Sequence, residues 1–576
     1  MRVPWILVIG LLLGPMSLAA QTKASKSSTP DVFLVTIDTL RADHVHCYGD
    51  DKIATPALDA LARDGVRFSQ AFTPSPVTNT SHTTILTGLL PSKHGVTDFG
   101  VPLSTAYPTW AELLHNRGYQ AAAFIGAVIL DSRTLAPGLD RGFDYYDNFP
   151  EHPKTKERWD RVERRGGEVV QHAEAWLDIH RAGPRFVWVH LYDPHDPYEP
   201  PPPYLVTYKD RLYDGEIAYA DSVLGGFVAY LKTHGWYRNA VIVVVGDHGE
   251  GLGQHHEETH GIFLYDSTLH VPLIFKLPAE TDAGKIVDAQ VRTTDILPTV
   301  IDLTGAERPA MLDGASLQPY FDGAEKLDRT AFGETDYPLR FGWAPLKSVR
   351  RDGQKFIEAP RPELYDLRSD PGELNNIYAA TNPDVTKSRA LLAELRTAAA
   401  SFNPNNSVKS AQSDASLPDP KDKIDEQNLI HAAMLASDDN RPEAARVALE
   451  KVLAMDPKSP TALRQLGELE LQAGDYAKAA THLKAAHAVR PEDTTVNFEL
   501  GQALAKTGDF AGARDALEAA LQASPGQLTA RILLGNVYLS LKDFRSAEDQ
   551  FEAALLLQPD STEAQAGLTK AKAGQH

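Results

Sequence analysis

Residues 240–253 read AVIVVVGDHGEGLG. An unbroken apolar run rich in valine stops at Asp247 and His248. A run of this length without polar alternation suits a strand buried on both faces of a mostly parallel sheet. Gly246 and Gly249 flank the polar pair, and glycine lets backbone crowd close to a ligand.

Four more runs have the same character: DVFLVTID (31–38), AAAFIG (121–126), FVWVHLYD (186–193) and VPLIFKL (271–277). Between them lie amphipathic stretches such as PALDALARDGV (56–66) and DSVLGGFVAYLKTHG (221–235). The alternation predicts an α/β fold, a mostly parallel sheet flanked by helices, over residues 30–400. Three of the strands end in Asp38, Asp193 and the Asp247–His248 pair. Ligands of open α/β sheets gather beyond the carboxyl ends of the strands.

Residues 401–424 (SFNPNNSVKSAQSDASLPDPKDKI) are polar and proline-containing and read as a linker. Beyond them, in 425–576, Pro457, Pro491, Pro525 and Pro559 recur every 34 residues. Gly467, Gly501 and Gly535 keep that period, as do Ala445, Ala479, Ala513 and Ala547. Three residue types in one register mark tetratricopeptide repeats, helical hairpins stacked into a solenoid. About four units fit. Such an array implies a protein or peptide partner; the alternative is a purely structural appendage.

The formal net charge of −20 disfavours a nucleic-acid partner, whose phosphates demand a basic face. The single cysteine, Cys47, rules out a disulfide framework and a cysteine-based zinc site. Residues 1–20 read as a signal peptide, with Arg2, the apolar run WILVIGLLLG (5–14) and a cleavage site at Ser17-Leu18-Ala19. The alternative is an uncleaved anchor. The expected mature protein is periplasmic or secreted, with no stable membrane span.

Two carboxylates, Asp38 and Asp247, together with the imidazole of His248 suit a divalent cation such as zinc, manganese or calcium. Thr78, in SPVTNTSHTTILTGLLPSKHGV (75–96), stands where a helix begins. Helix N-termini bind anions, and a hydroxyl there beside a metal can attack phosphorus or sulfur. A capping threonine is the plainer alternative.

Together these segments resemble the sulfatases of the alkaline phosphatase superfamily. The likeness covers roughly residues 30–380 and rests on TPALDALARDGVRFSQAF, LTGLLPSKHGV, VHLYDPHDPYEPP, GDHGEGLG, STLHVPLIF, TTDILPTVIDLTG and ELYDLRSDPGELNN. The combination with repeats is similar to a bacterial group of such proteins. The departures are pointed. The family's Cys or Ser, x, Pro, Ser, Arg is here Thr78, Asn79, Thr80, Ser81, His82, so no formylglycine forms. The family's Gly-Lys-x-His is Gly126, Ala127, Val128, Ile129. Its paired aspartates are Asp38-Thr39, and a downstream lysine is His260.

The resemblance implies that Asp38, Thr78, Asp247 and His248 hold a metal, as in threonine-using phosphodiesterases, phosphoethanolamine transferases and phosphonate hydrolases. It implies a place for His195 beside the leaving group. It implies a role for His260 in contacting the anion or, with Asp193, a second metal. His255 and His256 read as exposed loop residues, and Glu250, Glu257 and Glu258 as solvated or structural. The leading expectation is a metal-dependent hydrolase of phosphate diesters, phosphonates or related esters, small-molecule or glycan, with Thr78 as nucleophile. The alternatives are a sulfuric ester hydrolase, a phosphoryl-group transferase, and a degenerate enzyme serving as a repeat-based binding module.

Overall fold

The computed structural model describes Met1 and residues 29–150, 158–402 and 417–575. The segment read as a signal peptide falls almost wholly outside them.

Eight strands form the main sheet, in the order β4-β3-β5-β1-β6-β7-β2-β8. They are β1 (Val32–Ile37), β2 (Val66–Phe72), β3 (Gln120–Phe124), β4 (Tyr145–Asp147), β5 (Arg185–Leu191), β6 (Val241–Gly246), β7 (His270–Lys276) and β8 (Lys285–Arg292). All five apolar runs of the sequence are strands of this sheet, and both amphipathic stretches fall in helices, Pro56–Asp64 and Leu212–Thr233. Only β7 runs against its neighbours β6 and β2; the other pairings are parallel. The central strands β1, β5 and β6 are buried along their whole length. One core layer packs Trp110, Trp188 and Phe275 on one face, and a second packs Phe33, Phe227 and Leu231 on the other. This two-sided burial explains why those strands carry no polar alternation.

A second sheet of four antiparallel strands, β9 (Ala331–Thr335), β10 (Leu346–Arg351), β11 (Gln354–Glu358) and β12 (Glu363–Asp366), follows. The helix Pro383–Phe402 closes it over Val349, Phe356 and Leu364. It continues past residue 401, into the stretch read as linker. The end of that stretch is docked: Ala344 N–H donates to Pro418 O (2.9 Å) and Arg361 N–H to the Asp419 carboxylate (3.0 Å).

From Ile424 to Gly574 the described residues form nine helices, four hairpins and a final single helix. Pro457, Pro491, Pro525 and Pro559 each follow the second helix of a hairpin. The periodic alanines are fully buried. The periodic glycines permit close approach: a Cβ on Gly467 would lie 2.5 Å from Leu483 Cγ, and one on Gly501 would lie 2.5 Å from Leu517 Cγ. The first hairpin does not stand apart. Ile424, Ile430 and Ala433 share one apolar core with Phe341, Trp343 and Ile357 of the α/β part.

Candidate active site

The carboxyl ends of neighbouring β1 and β6 bring Asp38 and Asp247 side by side, both fully buried. The helix Thr78–Thr87 points its first turn at them; Val77 occupies the cap position, so Thr78 is the first helical residue and not the cap. Thr78 Oγ1 lies 3.1 Å from His248 Nε2. His248 Nδ1 donates to Gly249 O (2.9 Å), which turns its unprotonated Nε2 toward the carboxylates, 3.6 Å from Asp38 Oδ1 and 3.4 Å from Asp247 Oδ2. Those two oxygens are buried without a hydrogen-bond partner. Asp247 Oδ1 is satisfied by the backbone N–H groups of Thr39 (3.1 Å) and His248 (2.7 Å).

Two buried acceptors facing an imidazole lone pair are costly unless a cation joins them. The donor set therefore fits a divalent ion. Among the described residues a second cluster, His44, Asp50 and Asp214, has similar ligand spacing. There Asp214 already has partners, His44 Nδ1 (2.7 Å) and Arg211 (3.1 Å).

Electrostatics follow from burial. Desolvation and the neighbouring Asp38 charge push Asp247 well above the usual carboxylate range. Burial works in the same direction on Asp38, but the hydrogen bond from His190 and the nearby imidazoles outweigh it and hold Asp38 low. Burial also drives His82, His248 and His260 down to about 3, so all three rings are neutral at pH 7.

Two residues have supporting roles that the sequence did not announce. His190, inside β5, donates from Nε2 to Asp38 Oδ2 (3.1 Å) and accepts from Gly126 N–H at Nδ1 (3.2 Å). An imidazole in an otherwise apolar strand was the available signal. Thr39 adopts φ 51°, a left-handed conformation costly for a β-branched residue, and thereby aims its N–H at Asp247.

The remaining predicted residues divide. His260 joins the cluster, its ring centroid 4.4 Å from that of His248 and its Nδ1 3.1 Å from Glu250. His195 stacks on Tyr192 and meets His260 edge-on, ring centroids 5.0 Å apart. Asp193 is held elsewhere, its oxygens taken by Arg165 (3.0 Å) and by Gly166 N–H (2.8 Å) at the start of a helix. Among the described residues it belongs to neither cluster with metal-ligand spacing. His82 is fully buried: Nδ1 donates to Thr78 O (2.8 Å) and lies 3.4 Å from Asp247 Oδ2, and Nε2 lies 2.9 Å from Thr36 Oγ1. Glu250 and Glu257 are buried, Glu257 accepting from Ile262 N–H (2.9 Å). Of the loop pair, His256 is exposed but His255 is half-buried, stacked on Tyr265.

A cavity of about 770 Å³ opens over Thr78, His195 and His260. Ala127, Val128 and Ile129 line it where the sulfatase pattern has a lysine and a histidine. Its far wall belongs to the repeats. His431 Nε2 lies 2.7 Å from Asp196 Oδ2, and Arg158 and Arg161 pair with Asp439 (3.2 Å) and Asp438 (2.9 Å) across the junction.

The sulfatase family profile matches residues 30–306, and that of the N-sulphoglucosamine sulphohydrolase C-terminal region matches 256–399. Tetratricopeptide-repeat profiles match 432–488, 466–527 and 504–571. A Delta 4,5-hexuronate-2-O-sulfatase of Bacteroides thetaiotaomicron is 26% identical over 67% of this chain and 90% of its own length. A multifunctional alkaline phosphatase superfamily protein of Trinickia caryophylli is 23% identical over 60% of this chain and 91% of its own. The solved phosphonate monoester hydrolase of Agrobacterium radiobacter shares the fold, with TM-score 0.55 and 24% identity over 65% of this chain and 95% of that one. Residues 30–306 thus form a sulfatase domain, and the chain is a sulfatase-like hydrolase of sulfate or phosphorus esters, with homologues among the sulfatases and phosphonate hydrolases of the alkaline phosphatase superfamily. It carries a C-terminal array of tetratricopeptide repeats. Among the described residues no helix is long and apolar enough to cross a membrane.

Proposed function

We propose that the protein is an exported hydrolase of phosphate diesters or phosphonates in which Thr78 takes the place of formylglycine. The carrying observation is the contact of Thr78 Oγ1 with His248 Nε2, 3.1 Å, beside the partnerless oxygens of Asp38 and Asp247. Asp38, Asp247, His248 and Thr78 would hold one divalent cation, zinc, manganese or calcium. When bound, the cation supplies positive charge beside the hydroxyl and the ester oxygens. Thr78 Oγ forms the new bond to phosphorus, its own proton leaving to solvent. The bond to the leaving oxygen breaks, and His195 gives that oxygen a proton. Water then releases the acid and restores the threonine. Ala127, Val128 and Ile129 present an apolar wall to the substituent, in place of the basic groups a sulfate monoester would meet.

A sulfuric ester hydrolase is the second reading, favoured by the sulfatase names of relatives such as that of Bacteroides thetaiotaomicron. Export is supported by the apolar run 5–14 and the small-residue site at Ser17-Leu18-Ala19. A protein or peptide partner fits the outer repeats, where a groove of about 410 Å³ is lined by Tyr476, Phe498 and Lys506.

The test is turnover of aryl phosphodiesters, aryl phosphonates and aryl sulfates by metal-loaded protein. Phosphorus esters are expected to lead the panel, and Thr78→Ala is expected to lower kcat by roughly 10³-fold or more, as loss of a nucleophile does. An unchanged kcat in that variant would overturn the nucleophile assignment; preference for aryl sulfates would favour the second reading.

A further inference from the structure

The cavity has walls of two origins. Thr78, His195 and His260 form the catalytic side. Opposite stand Gln427, His431 and Met434 of the helix Ile424–Asp438 and Gln465 of the helix Pro460–Ala473. This second wall is fixed in place by the apolar core shared with Trp343 and by the ion pairs of Arg158 and Arg161. Arg490 adds a clasp, donating to Arg340 O at 2.6 Å. The inner face of the first repeats is therefore built into the active-site cavity.

The polar groups on that wall are unfinished. Gln427 Oε1 and Gln465 Oε1 have no hydrogen-bond partner although both atoms are shut away from bulk water. Across from them Asp196 is already engaged, its Oδ1 3.3 Å from His195 Nδ1 and its Oδ2 held by His431. An unmatched buried polar atom is costly, so two on one wall of a cavity imply a ligand that satisfies them. Amides offer acceptor and donors together, the carboxylate oxygen only an acceptor, and hydroxyl groups match both kinds. The rings of Phe99 and Tyr337, edge-to-face at 5.8 Å, line the same space and supply apolar surface. Hydroxyls set around an apolar ring face describe a sugar.

We propose that the first two repeats form a glycan subsite of the active site. In it Gln427 and Gln465 hydrogen-bond the hydroxyls of a sugar whose ester group lies at Thr78. The repeats then select the substrate in addition to, or in place of, recruiting a protein. This inference rests on the hydrolytic reading of Thr78 only for the placement of the ester, and its test does not need turnover.

The full chain is titrated calorimetrically with unsulfated chondroitin, chondroitin sulfate and heparin tetrasaccharides, alongside Gln465→Leu and Met434→Trp. Gln465 is half-buried and Met434 is 40% exposed, so both variants leave the core alone; matched melting temperatures check this. At least one tetrasaccharide is expected to bind, with affinity falling at least about tenfold in each variant. Where an ester-bearing tetrasaccharide is also hydrolysed, the ratio of its kcat/KM to that of an aryl ester is expected to fall by a similar factor. Absence of tetrasaccharide binding, equal binding in all three proteins, or capture of an extended peptide at these residues instead would overturn the proposal. Sugar binding with the expected losses but no turnover of aryl phosphodiesters, phosphonates or sulfates would sustain it and sink the hydrolytic reading instead.

Discussion

His190 divides its ring between two partners, donating to Asp38 and accepting from the Gly126 amide. Its replacement by alanine removes the donor that keeps Asp38 oriented and ionised. Partners of metal-binding side chains typically contribute about 10–100-fold to metal affinity. We expect His190→Ala to weaken zinc or manganese binding by that factor in calorimetric titration; equal affinity would deny it a supporting role. Asp38, Asp247 and His248 were legible in the sequence because each ends a buried strand. His190 was hidden because a strand interior gives no hint of which side chain meets a neighbouring strand's end. Asp193 shows the converse. It ends a strand as well, yet Arg165 and the start of a helix claim it, and that engagement depends on contacts distant in sequence.

Elements differed in legibility for a physical reason. The strands of the main sheet are apolar on both faces, so they stood out. The strands of the second sheet are short, and β10, LKSVRR, looks like loop until β9 and β11 pair with it. The repeats were the clearest case, because period and packing coincide. A methyl group at Gly501 would sit 2.5 Å from Leu517 Cγ. Alanine there gains about 1 kcal/mol of helix propensity but forces two helices apart, an overpacking cost of about 1–3 kcal/mol. We therefore expect Gly501→Ala to lower the melting temperature. Gly526→Ala, with nothing within 4 Å of the added carbon, is the control. A Gly501 variant as stable as the parent would refute the close helix approach.

At the scale of the molecule, the α/β part and the first repeats share a core, a junction that neither domain's own pattern announces. Ile430, 1% exposed, sits in it with Trp343. Trimming such a residue to alanine costs about 2–5 kcal/mol. All seven tryptophans precede the repeats, so fluorescence reports the α/β part while far-UV dichroism also reports the solenoid. Both midpoints are expected to fall together in Ile430→Ala. A fluorescence midpoint left in place would mean that the two parts melt independently.

The shared core also bears on biogenesis. Chains fold from the N-terminus as they are made, domain by domain. Here Phe341 and Trp343 belong to a core completed only when Ile424 to Ala436 have been synthesised. Until then the nascent catalytic part carries an uncovered apolar face, a natural landing place for a chaperone. Stop codons or proteolytic cuts near residue 400 would strand it there, leaving a catalytic half that aggregates instead of a smaller working enzyme.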